Sequence, residues 1–270
     1  MTTPTPLEAR ALALLEAARP PSLRAFDQIP MCGPDLLRAV KRAAPHLNGL
    51  DVAFVGDHDG TSLLLGLLAA RGLVPAPKRM TVLDFDERLL VAARRLADDH
   101  GFGDLLDTRL YNVFDPPPAD LVGAFDAYYT NPPYGASNEG ASVRLFVARG
   151  SELASRPGAH GHIVLPFDDE RAWTRRAMTQ TAQFLERHGW STLSLERDAH
   201  AYHLDDDPNL TSALLHVERR HPHAPPMPWM ARGVAHDAIR HFYGQAMHPP
   251  YPHFIAADGH YVWTPSPAHD

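Results

Sequence analysis

The chemistry of this chain centres on the tetrapeptide Asn131-Pro132-Pro133-Tyr134, which follows a strand-like run at residues 125–130. The Asn131 carbonyl oxygen and the neighbouring backbone carbonyls accept hydrogen bonds from N–H groups, and proline adds no competing donor. Tyr134 offers a ring face for packing or stacking. The pattern predicts a site that holds an amine or amino group during alkylation, with Asn131, Pro132 and Tyr134 as catalytic residues. A plain turn is the alternative.

A second polar loop, Gly56-Asp57-His58-Asp59-Gly60, follows the apolar run at residues 50–55. In open α/β sheets ligands bind at the carboxyl ends of strands, where glycine lets the backbone approach a ligand closely. The spacing is not the G-x-G-x-x-G of dinucleotide sites. Two carboxylates oppose a phosphate and favour a cation, such as an ammonium or a sulfonium. We expect Gly56, Asp57 and His58 to bind a nucleotide-type cofactor. The alternative is an acidic turn that caps the following helix.

Two more strand ends carry polar residues. Asp84 and Asp86 follow the run at residues 80–83, and a carboxylate in that place can accept both hydroxyls of a ribose. One of the two acids can instead cap the next helix. Asn112 can read the amino edge of an adenine and Phe114 can pack on its ring, although a structural turn explains these two residues nearly as well. We therefore expect Asp84, Asp86, Asn112 and Phe114 at the cofactor.

These loops need a sheet to position them, and the hydrophobic pattern predicts one. Short apolar runs alternate with segments of helical period, which is typical of a doubly wound α/β fold. The last two strands follow each other without a long helix, so we expect the last strand to run antiparallel in a mostly parallel, seven-stranded sheet. The strand-like runs cover residues 50–55, 80–84, 108–112, 125–130, 162–165, 190–196 and 212–219.

The predicted core is preceded and followed in the sequence by a flanking segment. Residues 1–48 read as an N-terminal helical flank with helices at 7–19 and 34–44, and residues 49–220 as the catalytic domain. Residues 221–270 form an extension rich in Pro, His and aromatic residues, with one short helix expected at 234–243. We expect this extension to wrap the core through Trp229, Phe242, Phe254 and Trp263.

Composition limits the partners. A net charge of −7 over 270 residues argues against binding of duplex nucleic acid, which normally requires a basic surface. The single cysteine, Cys32, excludes an internal disulfide framework. We expect no membrane segment, no signal peptide and a cytoplasmic protein. Despite 17 histidines, their spacing does not predict a metal site. The sequence is compatible with a homodimer.

The ordered set of motifs resembles one family, the branched-chain polyamine synthases, also called N4-bis(aminopropyl)spermidine synthases. The resemblance runs from about Asp27 to Arg219. It is carried by the stretches 26–28, 55–62, 83–90, 130–134 and 209–215 and by the proline-rich turn after Asn112. It implies a class I methyltransferase-like fold. It also implies transfer of an aminopropyl group from decarboxylated S-adenosylmethionine to a polyamine nitrogen, with release of methylthioadenosine.

The chain departs from the pattern of this family at three acidic positions. His58, Asn112 and Asn131 stand where the family usually has Asp, which lowers the attraction for a multiply charged cation. The N-P-P-Y tetrapeptide is also the motif of methyltransferases that modify amino nitrogens. The amine substrate is thus expected to be a small-molecule amine or a polyamine. The alternatives are an N-methyltransferase that uses S-adenosylmethionine and an inactive binding relative.

The mechanism follows from the leaving group. A sulfonium needs no activation, so the enzyme must align a neutral nitrogen with the carbon–sulfur bond and remove a proton. Alkyl amines are mostly protonated at pH 7, with a pKa of about 10.4 for lysine. Asn131 cannot take a proton, so Asp59, Asp57 or Glu139 must act as the base. We expect Asp59 to do so.

Overall fold

The fold is built on one seven-stranded sheet. A computed structural model of the chain describes residues 3–202, 209–243 and 251–263. The strands are β1 (Asp51–Val55), β2 (Arg79–Asp84), β3 (Leu106–Leu110), β4 (Ala127–Thr130), β5 (His160–Pro166), β6 (Trp190–Ala201) and β7 (Thr211–Arg219). They lie in the order β3-β2-β1-β4-β5-β7-β6, and β7 is antiparallel to both of its neighbours. The predicted fold class is confirmed, including the antiparallel last strand.

Helices cover both faces of the sheet. They are α1 (Pro6–Ala18), α2 (Gly33–Leu47), α3 (Thr61–Ala69), α4 (Glu87–Asp99), α5 (Ala141–Leu153) and α6 (Ala172–Arg187). Alternate residues of β1 point to opposite faces. Val52 and Phe54 pack in the core cluster that contains α1 to α4, while Ala53 and Val55 pack in the cluster with α5 and the C-terminal extension. This two-sided burial explains why the central strands are mostly apolar.

The strand ends differ from the sequence prediction most at β6, which extends five residues further than predicted, to Ala201. β3 ends at Leu110, two residues earlier than predicted. Asn112 lies beyond it in a turn, because its Oδ1 accepts a hydrogen bond from the Phe114 amide (3.1 Å). The turn alternative therefore holds for this segment of the backbone.

The N-terminal flank packs on the core and sends a loop to the carboxyl ends of the strands. Thr5 and Glu8 cap α1 reciprocally, with each side chain bonded to the other residue's backbone N–H. Between α1 and α2 the chain crosses to the last strands, where the Cys32 amide donates to the Ala201 carbonyl (2.9 Å). The loop at residues 26–29 lies beside the strand ends as a result.

The C-terminal extension does not form the predicted helix at 234–243; this prediction is wrong. Two backbone amides there bond outside this segment: the Val234 amide donates to the Phe114 carbonyl in the core (2.7 Å), and the Phe242 amide to the Tyr251 hydroxyl later in the extension (3.1 Å). A two-stranded hairpin, β8 (Phe254–Ile255) with β9 (Tyr261–Val262), was missed. Phe242 is fully buried as expected, but Trp263 is 47% exposed and does not wrap the core.

Among the described residues, none of the helices is both long and apolar enough to cross a membrane.

Candidate active site

A cleft opens at the carboxyl ends of β1, β2 and β4, where the strand order changes direction. This is the usual ligand position in doubly wound sheets. The cleft holds about 850 Å³ of empty space, including the open space at its mouth. Most of the predicted site residues line it, namely Gly56, His58, Asp59, Asp84, Asn112, Asn131, Pro132 and Tyr134. Asp57, Asp86 and Phe114 lie outside this lining.

In the loop after β1, Asp57 and Asp59 have different surroundings, although the two acids look equivalent in the sequence. Gly56 has φ +69°, and a Cβ there would lie 2.9 Å from the Phe146 ring, so only glycine fits. The Asp57 carboxylate turns away from the cleft to the start of α3. It accepts hydrogen bonds from the amides of Thr61 (2.9 Å) and Ser62 (3.1 Å) and from the Ser62 hydroxyl (2.5 Å). Burial raises the pKa of Asp57 to about 7. The geometry favours the helix-capping alternative for Asp57.

His58 lines the cleft as a neutral side chain. Burial lowers its pKa to about 4, and the nearby positive charge of Arg19 adds to this effect. Its Nε2 lies 2.9 Å from the Ser22 hydroxyl, and its Nδ1 is buried without a partner among the described residues. The ring therefore offers hydrogen-bonding capacity to the cleft without adding a charge.

Asp59 and Asn131 form a pair at the centre of the cleft. One carboxylate oxygen of Asp59 accepts from the Met31 amide (2.7 Å), and the other accepts from the Asn131 side-chain nitrogen. Burial raises the pKa of Asp59, while both hydrogen bonds oppose the rise. Since an ionised carboxylate only accepts, it fixes the Asn131 amide with Nδ2 towards Asp59. The Oδ1 of Asn131 is then left to accept an N–H from a ligand.

Tyr134 ends a buried chain of hydrogen bonds. Its hydroxyl bonds to that of Tyr202, which lies 2.9 Å from the Ser212 Oγ. His200 Nδ1 contacts the same Ser212 Oγ at 2.7 Å. Burial strongly raises the pKa of both tyrosines, so they stay neutral. These hydrogen bonds fix the position of Tyr134 beside the cleft, next to Pro132 and Pro133.

The two acids after β2 also divide their roles. Asp84 lines the cleft, where its oxygens accept from the amides of Asp57 (3.0 Å) and Asp86 (2.9 Å). Burial, reinforced by the negative charge of Asp86, raises the pKa of Asp84 to about 7. Asp86 is fully buried, caps α4 through the Arg88 amide, and pairs with the Arg88 guanidinium (2.7 Å). Asp84 therefore faces the cleft, whereas Asp86 holds the start of α4.

Asn112 and Phe114 are both held by the C-terminal extension. The Asn112 side-chain nitrogen donates to the carbonyls of Pro252 (3.2 Å) and His253 (2.7 Å). Asn112 still lines the cleft, but its amide nitrogen is engaged. Phe114 is 1% exposed and packs on Phe242, with ring centroids 4.6 Å apart, rather than facing the cleft.

Six aromatic residues of the cleft lining were not predicted as site residues. They are Phe26, Phe85, Tyr111, Phe146, Tyr202 and Tyr243. Phe85 stood between two residues singled out as ribose ligands, so its position was a usable signal. Phe26 comes from the N-terminal flank, Tyr202 from the end of β6 and Tyr243 from the extension. Nothing in their local sequence indicates that these segments meet.

The remaining candidate base, Glu139, is exposed and lies outside the cleft lining. In the described part of the chain, no group of three or more His, Cys, Asp or Glu side chains is arranged to hold a metal ion.

Two curated relatives align with the chain. The N(4)-bis(aminopropyl)spermidine synthase of Thermococcus kodakarensis is 32% identical over 124 residues, which are 46% of this chain and 32% of that protein. The enzyme of the same description from Thermus thermophilus is 32% identical over 149 residues, 54% of this chain and 40% of that protein. The alignments thus span less than half the length of either relative.

A solved structure matches this chain over a larger share of its own length than the two curated relatives do. The branched-chain polyamine synthase from Thermus thermophilus, in complex with N4-aminopropylspermidine and 5′-methylthioadenosine, superposes with a TM-score of 0.72 at 25% identity. The superposition covers 87% of this chain and 69% of that one. The family model for the branched-chain polyamine synthase A C-terminal domain matches residues 12–213 of this chain. This region includes β1 to β6 and every predicted site residue. The chain therefore belongs to the branched-chain polyamine synthase family.

Proposed function

We propose that this protein transfers an aminopropyl group from decarboxylated S-adenosylmethionine to an amine nitrogen and releases methylthioadenosine. The observation that carries the proposal is the Asp59–Asn131 pair, which places an orienting amide and a carboxylate side by side in the cleft. Family membership and the two ligands bound by the Thermus thermophilus relative support it.

The order of the strands determines where each part of the substrates would lie along the cleft. Asp84 at the end of β2 would bind the ribose, Gly56 at the end of β1 would face the sulfonium, and Asn131 at the end of β4 would hold the amine. The neighbouring carboxylates of Asp59 and Asp84 attract a cationic donor substrate. The transferred carbon would lie between β1 and β4, in line with the amine nitrogen.

In this arrangement each residue has one task. Asn131 Oδ1 accepts an N–H of the neutral amine and directs the nitrogen lone pair to the carbon beside sulfur. Asp59 takes the proton that the amine must lose, and the raised pKa suits it to that role. The carbon–sulfur bond breaks as the carbon–nitrogen bond forms, and its electron pair stays on sulfur. Tyr134 and Pro132 shape the wall beside the amine.

The choice of donor substrate tests the proposal. S-adenosylmethionine carries a carboxylate that the decarboxylated form lacks, and two like charges about 4 Å apart repel by about 4 kcal/mol at an effective dielectric of 20. We expect tighter binding of the decarboxylated form at pH 8. Asp59→Asn should reduce the difference in affinity between the two donor substrates. Asp57→Asn should reduce this difference less, because Asp57 faces α3. His58 adds no charge at this pH because its pKa is about 4.

The measurement combines calorimetry with mass spectrometry of the product formed from each donor substrate and an amine. Methylthioadenosine is the expected product. Tighter binding of S-adenosylmethionine, with S-adenosylhomocysteine as product, would instead establish the N-methyltransferase. That second function draws on the N-P-P-Y tetrapeptide, since the Asn131 amide suits any attacking N–H. Binding without any product would identify an inactive relative.

A second prediction separates the two acids after β2. Asp84→Ala should weaken methylthioadenosine binding by about 1.5–3 kcal/mol, the contribution of a hydrogen bond to a charged group. Asp86→Ala should mainly lower the thermal stability, because it removes the α4 cap and leaves Arg88 unpaired. Calorimetry and thermal unfolding of both variants measure these effects. Unchanged affinity in Asp84→Ala would rule out the ribose assignment.

A further inference from the structure

Three aromatic rings from distant parts of the chain form one side of the cleft, here called the aromatic wall: Phe26, Phe85 and Tyr243. Phe26 stands edge-on to Phe85 (centroids 5.6 Å apart, 76°) and to Tyr243 (5.4 Å, 87°). Phe85 and Tyr243 are nearly parallel, at 6.1 Å and 21°. Such edge-to-face packing is favourable for aromatic pairs and makes the wall rigid.

The aromatic wall lies on the donor side of the cleft. Phe85 follows Asp84 directly at the end of β2. Tyr243 packs on Phe85, so it lies with the proposed ribose site. Burial, together with the nearby carboxylates of Asp84 and Asp27, raises the pKa of Tyr243 well above the ordinary value.

The wall suits a flat, uncharged ring. Its three rings contact each other, and their spacing leaves no room for a group between them, so a ligand must lie against their cleft side. Base rings stack on aromatic side chains in many unrelated proteins. A base joined to a ribose at Asp84 would reach the neighbouring ring surface. Asn112, a polar lining residue, has its side-chain nitrogen engaged by the extension and its Oδ1 by the Phe114 amide.

We propose that the C-terminal extension completes the donor site, with Tyr243 packing against the adenine ring of the donor substrate together with Phe85. This inference rests on the proposed function and adds a segment to it. The family match ends at residue 213, so Tyr243 lies outside the matched region. The extension is anchored beside the site, since the Ile255 amide donates to the Phe85 carbonyl (2.9 Å).

The test compares two ligands that differ only in the base. Methylthioadenosine carries adenine, and 5-methylthioribose keeps the ribose and thioether without it. We expect Tyr243→Ala to weaken methylthioadenosine binding about 5- to 150-fold, the range for loss of one base–aromatic stack, and to leave 5-methylthioribose binding unchanged. Tyr243→Phe should bind both ligands as the wild type does, because it keeps the ring. Tyr243→Leu keeps apolar volume without an aromatic face and should resemble Tyr243→Ala.

Tyr261→Ala is the matched control. Tyr261 also stands edge-on to Phe26 (5.5 Å, 83°), but it is 39% exposed and does not line the cleft. This variant should bind methylthioadenosine normally. Equal weakening of both ligands by Tyr243→Ala and Tyr243→Leu, or equal loss in Tyr243→Phe, would overturn the adenine assignment and leave the proposed function standing. A wild-type protein that binds neither ligand would overturn both.

Discussion

Asn131→Ala should lower kcat by about 100-fold, the loss expected when a reacting group is misplaced by about 1 Å. The physical reason is the fixed amide. Asp59 holds Nδ2, so Oδ1 is the group that orients the amine, and alanine removes it. The donor substrate has its contacts at Asp84 and Gly56, so its affinity should change little. Steady-state kinetics with the amine, together with calorimetry of methylthioadenosine, separate the two effects.

Asn48→Ala provides a matched control for this prediction. Asn48 is exposed at the end of α2, just before β1 begins, and so lies at the opposite end of the sheet from the cleft. Its kcat should equal that of the wild type. If Asn131→Ala loses donor affinity and turnover in the same proportion, Asn131 does not act on the amine.

Asp59→Asn should remove the base and lower kcat by about 10²- to 10⁴-fold, the usual contribution of general acid–base catalysis. The pH profile gives the more specific result. Burial raises the pKa of Asp59, and a base works only when deprotonated, so wild-type activity should fall as the pH falls through that raised pKa. The variant should lose this acidic limb. Its remaining activity should rise towards alkaline pH, as the amine itself loses its proton.

Asp57→Asn shows whether any buried carboxylate would give the same profile. Asp57 is also buried, and its pKa is raised to about 7, but its oxygens bond to the start of α3. This variant should lower the melting temperature and retain the acidic limb. An acidic limb that disappears in Asp57→Asn and persists in Asp59→Asn would transfer the base role to Asp57.

The sheet could be predicted because its signals are local and strong. Each central strand is a short apolar run bounded by polar turns, and parallel strands buried on both faces must have that composition. β3 was shifted by two residues because it lies at the edge of the sheet, where half-buried side chains give a weaker pattern. The extension was misread because its backbone groups bond to distant residues, which no local periodicity reports.

The cleft could be located from the sequence for a different reason. Parallel strands bring their carboxyl ends to one edge, so Asp59, Asp84 and Asn131 had to lie close together once the strands were assigned. The choice between neighbouring acids could not be made in advance. Asp57 and Asp59 are two residues apart, and only the folded loop shows that Asp57 caps α3 while Asp59 lines the cleft. The aromatic wall could not be predicted either, because its rings meet only in the tertiary fold.

The attachment of the extension has a consequence for the order of assembly. The sheet from β1 to β7 is complete in sequence by Arg219, yet the amide of Asn112 finds its carbonyl partners only at Pro252 and His253. One of the two core clusters includes residues of the extension, so that cluster and the cleft are both completed only when the extension docks. Closing a chain segment of this length costs entropy, which the contacts of the extension must offset. A ligand that touches only the docked form stabilises docking by mass action, so occupancy of the cleft and attachment of the chain end become a single equilibrium.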